Sequence, residues 1–361
     1  MSDFHTPLCD LLGSRYPIVQ TGMGWVTGSD LVAATTNAGG FGFLAGATIA
    51  ADRIEAEIVR VRELTGDKPF GLNFHMFQPN AAQLLDLAVK HRVRAVSYGR
   101  GPDKKVIGRL RDAGIVCMPT VGALKHAQKA IEMGANAITI QGAEGGGHTG
   151  SVPTTVLLPQ VVDAVKVPVV AAGGFFDGRG LLAALAFGAQ GIAMGTRFLM
   201  STDNRVPRPT LERYVAVRDA EKIQVSYLVD GMPQRMIPNE YLAMLEKATP
   251  LRRLRIAIRL AREYKAQTGM TNAHALRVFW QGLREDAGGV AQTLMAANAP
   301  MLLQRSMIEG KPAEGVMAAG QVAALIDRLA SCEEIIDGII TQARERRAAL
   351  AAMGTIGERH G

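Results

Sequence analysis

The densest concentration of chemically useful residues lies in one run, Gln141-Gly142-Ala143-Glu144-Gly145-Gly146-Gly147-His148-Thr149-Gly150. Five glycines surround one glutamate and one histidine. Such a loop can lay its backbone against a flat ring while presenting an imidazole, which donates a hydrogen bond or exchanges a proton near neutral pH. Two further runs bring glycine to the end of an apolar stretch: Ala171-Ala172-Gly173-Gly174-Phe175 and Met194-Gly195-Thr196-Arg197-Phe198. Each alone could be only a tight turn. Together they suit an anion, because glycine lets backbone N–H groups approach closely and a helix start near Asp177-Gly178 adds a favourable field. Asn73 could bond the polar edge of a ring. His75, in the run Asn73-Phe74-His75-Met76, reads equally as catalytic or as a packed residue. His5 and His360 are terminal, and His91, His126 and His274 fall on predicted helices, so these five read as structural or exposed.

What is missing narrows the chemistry. There is no H-E-x-x-H, no paired cysteine and no acidic run with ligand spacing, so no metal site is expected. There is neither a G-x-S-x-G elbow nor a P-loop lysine. The turn Thr21-Gly22-Met23-Gly24-Trp25 is sharp but lacks the G-x-G-x-x-G dinucleotide pattern. The chemistry is therefore assigned to a bound organic phosphate cofactor, with the protein supplying orientation and one acid/base group.

The elements that must position these residues are legible. Short apolar runs at 17–20, 41–44, 70–73, 95–97, 116–119, 137–140, 167–171 and 191–194 read as eight strands. They recur about every 25 residues, room for a strand, a helix and two short loops. Between them, Ser29-Asp30 can cap Leu31–Asn37. Residues 51–64 place Ile54, Ile58 and Val61 on one face, and Gly134 and Gly188 stop helices that lead into strands. Eight consecutive strand–helix units favour a closed (β/α)8 TIM barrel over an open doubly wound sheet. In such a barrel the active site lies where the strands end, and loops seven and eight commonly hold a phosphate. The expected organisation is an α/β barrel over 1–205, a helical insertion after strand eight over 206–314, covering the barrel mouth with hairpins at 238–283, and closing helices over 315–361.

The chain has 361 residues, 48% hydrophobic and 20% charged, with 40 glycines. That supports a large core and excludes a disordered composition. No apolar run is long enough for a membrane span, and MSDFHTPLCD does not read as a secretory signal. Cys9, Cys117 and Cys332 are scattered, neither a disulfide framework nor a zinc spacing, so a cytoplasmic location is expected. The net charge of +7 concentrates at 251–265 and 343–347. Both runs read as solvated helical faces. The alternative is an anionic partner such as a CoA or carrier-protein thioester. Nothing resembles a nucleic-acid recognition motif.

The runs PIVQTGMGWV, NAGGFG, KPFGLN, GAEGGGHTG, VPVVAAGGFFDGRG and GAQGIAMGTRF together resemble the nitronate monooxygenase family. The framework is similar to the FMN-dependent enoyl-acyl-carrier-protein reductases and to flavin NADH:quinone reductases. The resemblance is strong over 15–200 and weaker over 315–330. It implies FMN and no metal. By that resemblance Gly22, Met23 and Gly24 form the turn at the isoalloxazine, with Asn73, Gln141 and Gly147 near the ring. Gly173, Gly174, Gly195 and Thr196 hold the phosphate, Gln321 approaches the ring, and His148 is the acid/base or orienting group. His75 departs from the family pattern. So does Thr120, which stands where some NADH-using relatives carry lysine. The insertion is longer than in the enoyl reductases. The expected activity is oxidation of an alkyl nitronate with O2 to a carbonyl compound and nitrite. The rival is hydride exchange with NAD(P)H, a quinone or an acyl thioester. A flavin-binding sensor without turnover is a third reading. The expected partner is a small-molecule substrate, and the oligomeric state stays open, a homodimer included.

Overall fold

The computed structural model describes residues 3–75, 78, 80–99, 104–268 and 298–354. Ten short strands come from the first 200 residues. They are β1 Ile18–Gln20, β2 Phe41–Ala45, β3 Gly71–Phe74, β4 Ala95–Tyr98, β5 Val116–Cys117, β6 Thr120–Val121, β7 Ile138–Gln141, β8 Gly147–His148, β9 Val169–Ala172 and β10 Gly191–Met194. All but β8 form one sheet in the order β5-β4-β3-β2-β1-β10-β9-β7-β6. Its recorded pairings are all parallel. β5 and β6 are two halves of one strand, divided at Met118-Pro119, where proline has no N–H to give the ladder. Met118 N donates to Val96 O at 2.9 Å on one side, and Thr139 N donates to Pro119 O at 2.8 Å on the other. The sheet order therefore begins and ends on the same strand. The sheet closes, and the eight expected strands make a (β/α)8 barrel.

Burial explains the strand sequences. β1, β2, β4, β9 and β10 are buried at every position, as a parallel sheet covered on both faces requires. The barrel interior is filled by Val19, Phe41, Phe43, Val116, Val170 and Ala193, with Leu8 and Leu12 of the helix Pro7–Leu12 in the same cluster. Gly71 is glycine for space: a Cβ there would lie 2.3 Å from the Phe43 ring. Outside, the helix Ile54–Thr65 buries Ile54, Ile58 and Val61 and ends at Gly66 in the left-handed region. The 23-residue helix Cys332–Gly354 packs on the helix Gly178–Ala186.

After β10 the chain is not purely helical. Besides the helices Arg208–Val215, Glu240–Lys247, Pro250–Thr268 and Asn298–Met307, this segment holds two strands that the sequence reading lacks, β11 Gln224–Ser226 and β12 Gln234–Met236. These pair antiparallel, and β12 pairs in turn with β8, in register Gln234↔His148. At three residues each, they are too short to show a period-2 pattern. The expected hairpins at 238–283 can be followed to Thr268. Their remainder, with His274, lies outside the described residues, as do Met76 and His360. No helix among the described residues is long and apolar enough to cross a membrane.

Candidate active site

The glycine-rich run after β7 is folded tightly rather than left loose. Gln141 Nε2 donates to His148 O at 2.9 Å, and Thr149 Oγ1 reaches the carbonyls of Gly142 and Ala143 at 3.3 and 3.2 Å. A Cβ on Gly146 would lie 2.5 Å from Ala319 C and Gly320 N, so only glycine lets this loop touch the 319–320 backbone. Glu144 is used structurally. Its carboxylate accepts from Thr154 N and Thr154 Oγ1 at the start of the helix Thr154–Ala164, a favoured place for negative charge. Its carbonyl accepts from Gln321 N at 3.0 Å.

His148 therefore stands on a strand, not on a free loop. Its Nε2 lies 2.7 Å from Asp230 Oδ2 and 3.1 Å from Gln234 Nε2, and Gln234 Nε2 donates to the same carboxylate oxygen at 2.5 Å. With the imidazole proton on Nε2, both nitrogens donate to Asp230. Asp230 Oδ1 accepts from Met232 N at 3.1 Å. The Asp230 side chain is 2% exposed and that of His148 52%. A buried carboxylate thus fixes the tautomer of a half-exposed ring and leaves Nδ1 with no protein partner among the described residues. Arg235 ties the same layer together, donating to Ala143 O at 3.0 Å and Ile223 O at 2.8 Å. Burial lowers its pKa from the usual guanidinium value, against the opposing charge of Glu144.

The remaining candidates converge at the same end of the barrel. A Cβ on Gly22 would lie 2.3 Å from Asn73 Cβ, so the turn after β1 rests directly on the Asn73 side chain. Asn73 Nδ2 donates to Ser97 O at 3.1 Å, which commits that nitrogen to the barrel. The Met23 side chain borders Gly195, and Gly24 borders Thr48. Gly173 and Gly174 have φ of +93° and +84°, the left-handed region that favours glycine. Gly173 faces Gly142, and Gly174 faces Glu144. Gly320 N donates to Thr196 Oγ1 at 2.9 Å, which brings Gln321 beside loop eight. Among the described residues, the N–H groups of Gly173, Gly174, Gly195 and Thr196 have no protein acceptor. Asp177 caps the helix Gly178–Ala186 just beyond. Gly22, Met23, Gly24, Asn73, Gln141, Gly147, Gly173, Gly174, Gly195, Thr196 and Gln321 thus border one mouth. His75 follows β3 directly, with Nδ1 3.5 Å from Gly99 O.

Sequence reasoning missed Asp230 and Gln234, whose partner is more than 80 positions away. It also missed Trp25, whose Nε1 donates to Pro300 O at 2.9 Å and ties the turn after β1 to the helix Asn298–Met307. No group of three or more His, Cys, Asp or Glu among the described residues is placed to hold a metal.

The fold is a closed α/β barrel with glycine loops and an imidazole–carboxylate pair at its mouth, the architecture of a barrel enzyme. More narrowly, the chain belongs to the nitronate monooxygenase family, whose model matches residues 5–90 and 79–342. It is 46% identical, over 98% of this chain and 99% of the other, to a protein of Rhodococcus jostii (strain RHA1), (3aS,4S,5R,7aS)-5-hydroxy-7a-methyl-1-oxo-octahydro-1H-indene-4-carboxyl-CoA dehydrogenase. A probable nitronate monooxygenase of Staphylococcus saprophyticus is 31% identical over 66% of this chain and 79% of its own. Among solved structures, FabK from Thermotoga maritima superposes with a TM-score of 0.76 at 30% identity, covering 97% of this chain and 99% of that one.

Proposed function

We propose that this protein is an FMN-dependent dehydrogenase of a CoA thioester. The observation that carries the reading is the His148–Asp230 pair, a half-exposed imidazole backed by a buried carboxylate. Such a pair is built to remove a proton. Dehydrogenation of a thioester requires that step, whereas a preformed nitronate has already lost its proton. The sequence alone ranks nitronate oxidation first. The order is reversed here because the 46% match to a protein named as a carboxyl-CoA dehydrogenase covers 98% of the chain, while the 31% match to a probable nitronate monooxygenase covers 66% of it.

The residues present fit FMN. Four backbone N–H groups on the loops after β9 and β10 lack protein acceptors among the described residues. Gly173 and Gly174 hold left-handed φ values that keep side chains out of this loop. Gly22, Met23, Gly147 and Asn73 would flank the ring. When bound, FMN would supply a two-electron acceptor for the hydride that leaves the substrate. The thioester carbonyl acidifies the adjacent C–H, His148 Nδ1 takes that proton, and Asp230 stabilises the resulting imidazolium. The carbons that lose proton and hydride are left joined by a double bond.

The test is anaerobic stopped-flow reduction of the bound flavin by a panel of acyl-CoA thioesters, including the substrate named for the Rhodococcus relative, alongside propane-2-nitronate and NADH. Reduction by a thioester supports the reading. Bleaching by the nitronate alone overturns it and restores the nitronate assignment.

A further inference from the structure

The helix Pro250–Thr268 packs Ile256 and Leu260 on a cluster that includes Val229 and Met236, chain neighbours of Asp230 and Arg235. Its outer side is unusual. Arg252, Arg255, Arg259 and Arg262 recur at steps of three, four and three, which aligns them along one flank. All four are exposed. Arg259 has Glu263 at 3.8 Å, and the other three have no carboxylate partner among the described residues. Like charges at this spacing repel and weaken a helix, a cost that a bound polyanion would offset. Neighbouring Arg253 behaves differently: its guanidinium caps the carbonyls of Leu245 and Glu246.

The line of arginines runs into a cavity of about 540 Å³, lined by Arg259, Arg305 and Lys311 together with Glu263, Glu309 and Glu314. Glu263 is held by Arg305 at 2.9 Å and Glu309 by Lys311 at 3.1 Å. The cavity charges therefore balance, and the unpaired arginines beside it leave an excess of positive charge. The volume is in the range that holds a nucleotide-sized ligand.

We propose that this arginine line and cavity bind the 3′-phosphoadenosine diphosphate end of a CoA thioester. The proposal rests on the thioester reading above. From Arg252 to Arg262 the helix rises roughly 15 Å at 1.5 Å per residue, long enough to spread contacts over three phosphates. NADH presents two. The helix lies one side-chain layer from the segment that carries Asp230, so the pantetheine arm would lead from the cavity toward the barrel mouth.

The experiment is calorimetric titration of the purified protein with CoA, dephospho-CoA and NADH at low and high salt. The wild type should bind CoA more tightly than the other two, with an affinity that falls as salt rises. The triple variant Arg252→Gln/Arg255→Gln/Arg262→Gln should bind CoA at least tenfold more weakly, and Arg255→Glu alone should move affinity the same way. Flavin reduction by the matching pantetheine thioester, which lacks the nucleotide, should not change. Undiminished CoA binding by the variants overturns this site, while the thioester reading stands if CoA thioesters still reduce the flavin. Equal weakening toward NADH and CoA reassigns the patch to a dinucleotide. A wild type that binds no CoA overturns both readings.

Discussion

Asp230→Asn tests the candidate site most directly. The carboxylate accepts from His148 and Gln234 on Oδ2 and from Met232 N on Oδ1. An amide of the same shape has one acceptor oxygen and one NH2 group. Whichever way it turns, a donor faces a donor, either at Met232 or at His148 and Gln234. The first arrangement loses less, yet the bond to His148 is then no longer assisted by charge. Hydrogen bonds to charged groups contribute about 1.5–3 kcal/mol. At 1.36 kcal/mol per tenfold, losing that support for the imidazolium slows proton removal by roughly 10–150-fold. His148→Ala sets the ceiling, since a positioned acid/base group is worth roughly 10²–10⁴. The assay is single-turnover flavin reduction by a CoA thioester, with flavin content measured in parallel. Flavin content should be unchanged, because Asp230 makes no recorded contact with the loops after β9 and β10. A wild-type rate in Asp230→Asn refutes the positioning role. So does a loss explained entirely by missing flavin.

Three further outcomes follow from the same geometry. Gly174→Asp should abolish flavin retention with the fold intact by circular dichroism, because φ of +84° disfavours a side chain and the new carboxylate would repel a phosphate; normal flavin content after reconstitution would place the phosphate elsewhere. Gly178→Ala should lower thermal stability by about 1–3 kcal/mol, because its Cβ would lie 2.4 Å from Ala343 N and Ile339 O, backbone that cannot swing aside; an unchanged melting temperature would contradict that packing. Burial pushes the Cys332 thiol up to about 12 and the Cys117 thiol to about 11, and Cys9 is also buried. A thiol reagent at pH 8 should therefore label none of the three until the protein unfolds, and labelling of the native protein at the rate of free cysteine would be the contrary result.

The barrel was legible because each strand–helix unit is written locally. A run such as Val169–Ala172 is buried on both faces, and Gly134 and Gly188 end their helices by a rule that needs no distant partner. The glycine loops were legible for the same reason. The division of strand five at Pro119 was readable as a proline in a strand, but its consequence, one half pairing with β4 and the other with β7, appears only once the sheet closes. Asp230 left no local signal. The segment Val229-Asp230-Gly231-Met232-Pro233 looks like an ordinary turn, and its role depends on β12 pairing with β8 across more than 80 residues. The two short strands β11 and β12 within the helix-rich segment 206–314 were illegible on the same ground: their stability comes from partners, not from propensity.

This difference in origin separates two tasks. The groups that suit a phosphate and a ring are backbone atoms and short side chains on the closed barrel, where each neighbour fixes the next: Gly173 against Gly142, Gly22 against Asn73, Gly320 against Thr196. The groups proposed to act on a substrate straddle the seam. His148 comes from the barrel loop, while Asp230, Gln234 and the arginine-lined helix come from the segment after β10. On the role proposed for His148, changing that segment alters which proton is removed, and from what, without disturbing the glycine loops beneath. A barrel shared with proteins named for nitronates and for a CoA thioester is what such a division allows. The residues to exchange in converting one activity to the other are those of the seam, not the glycines.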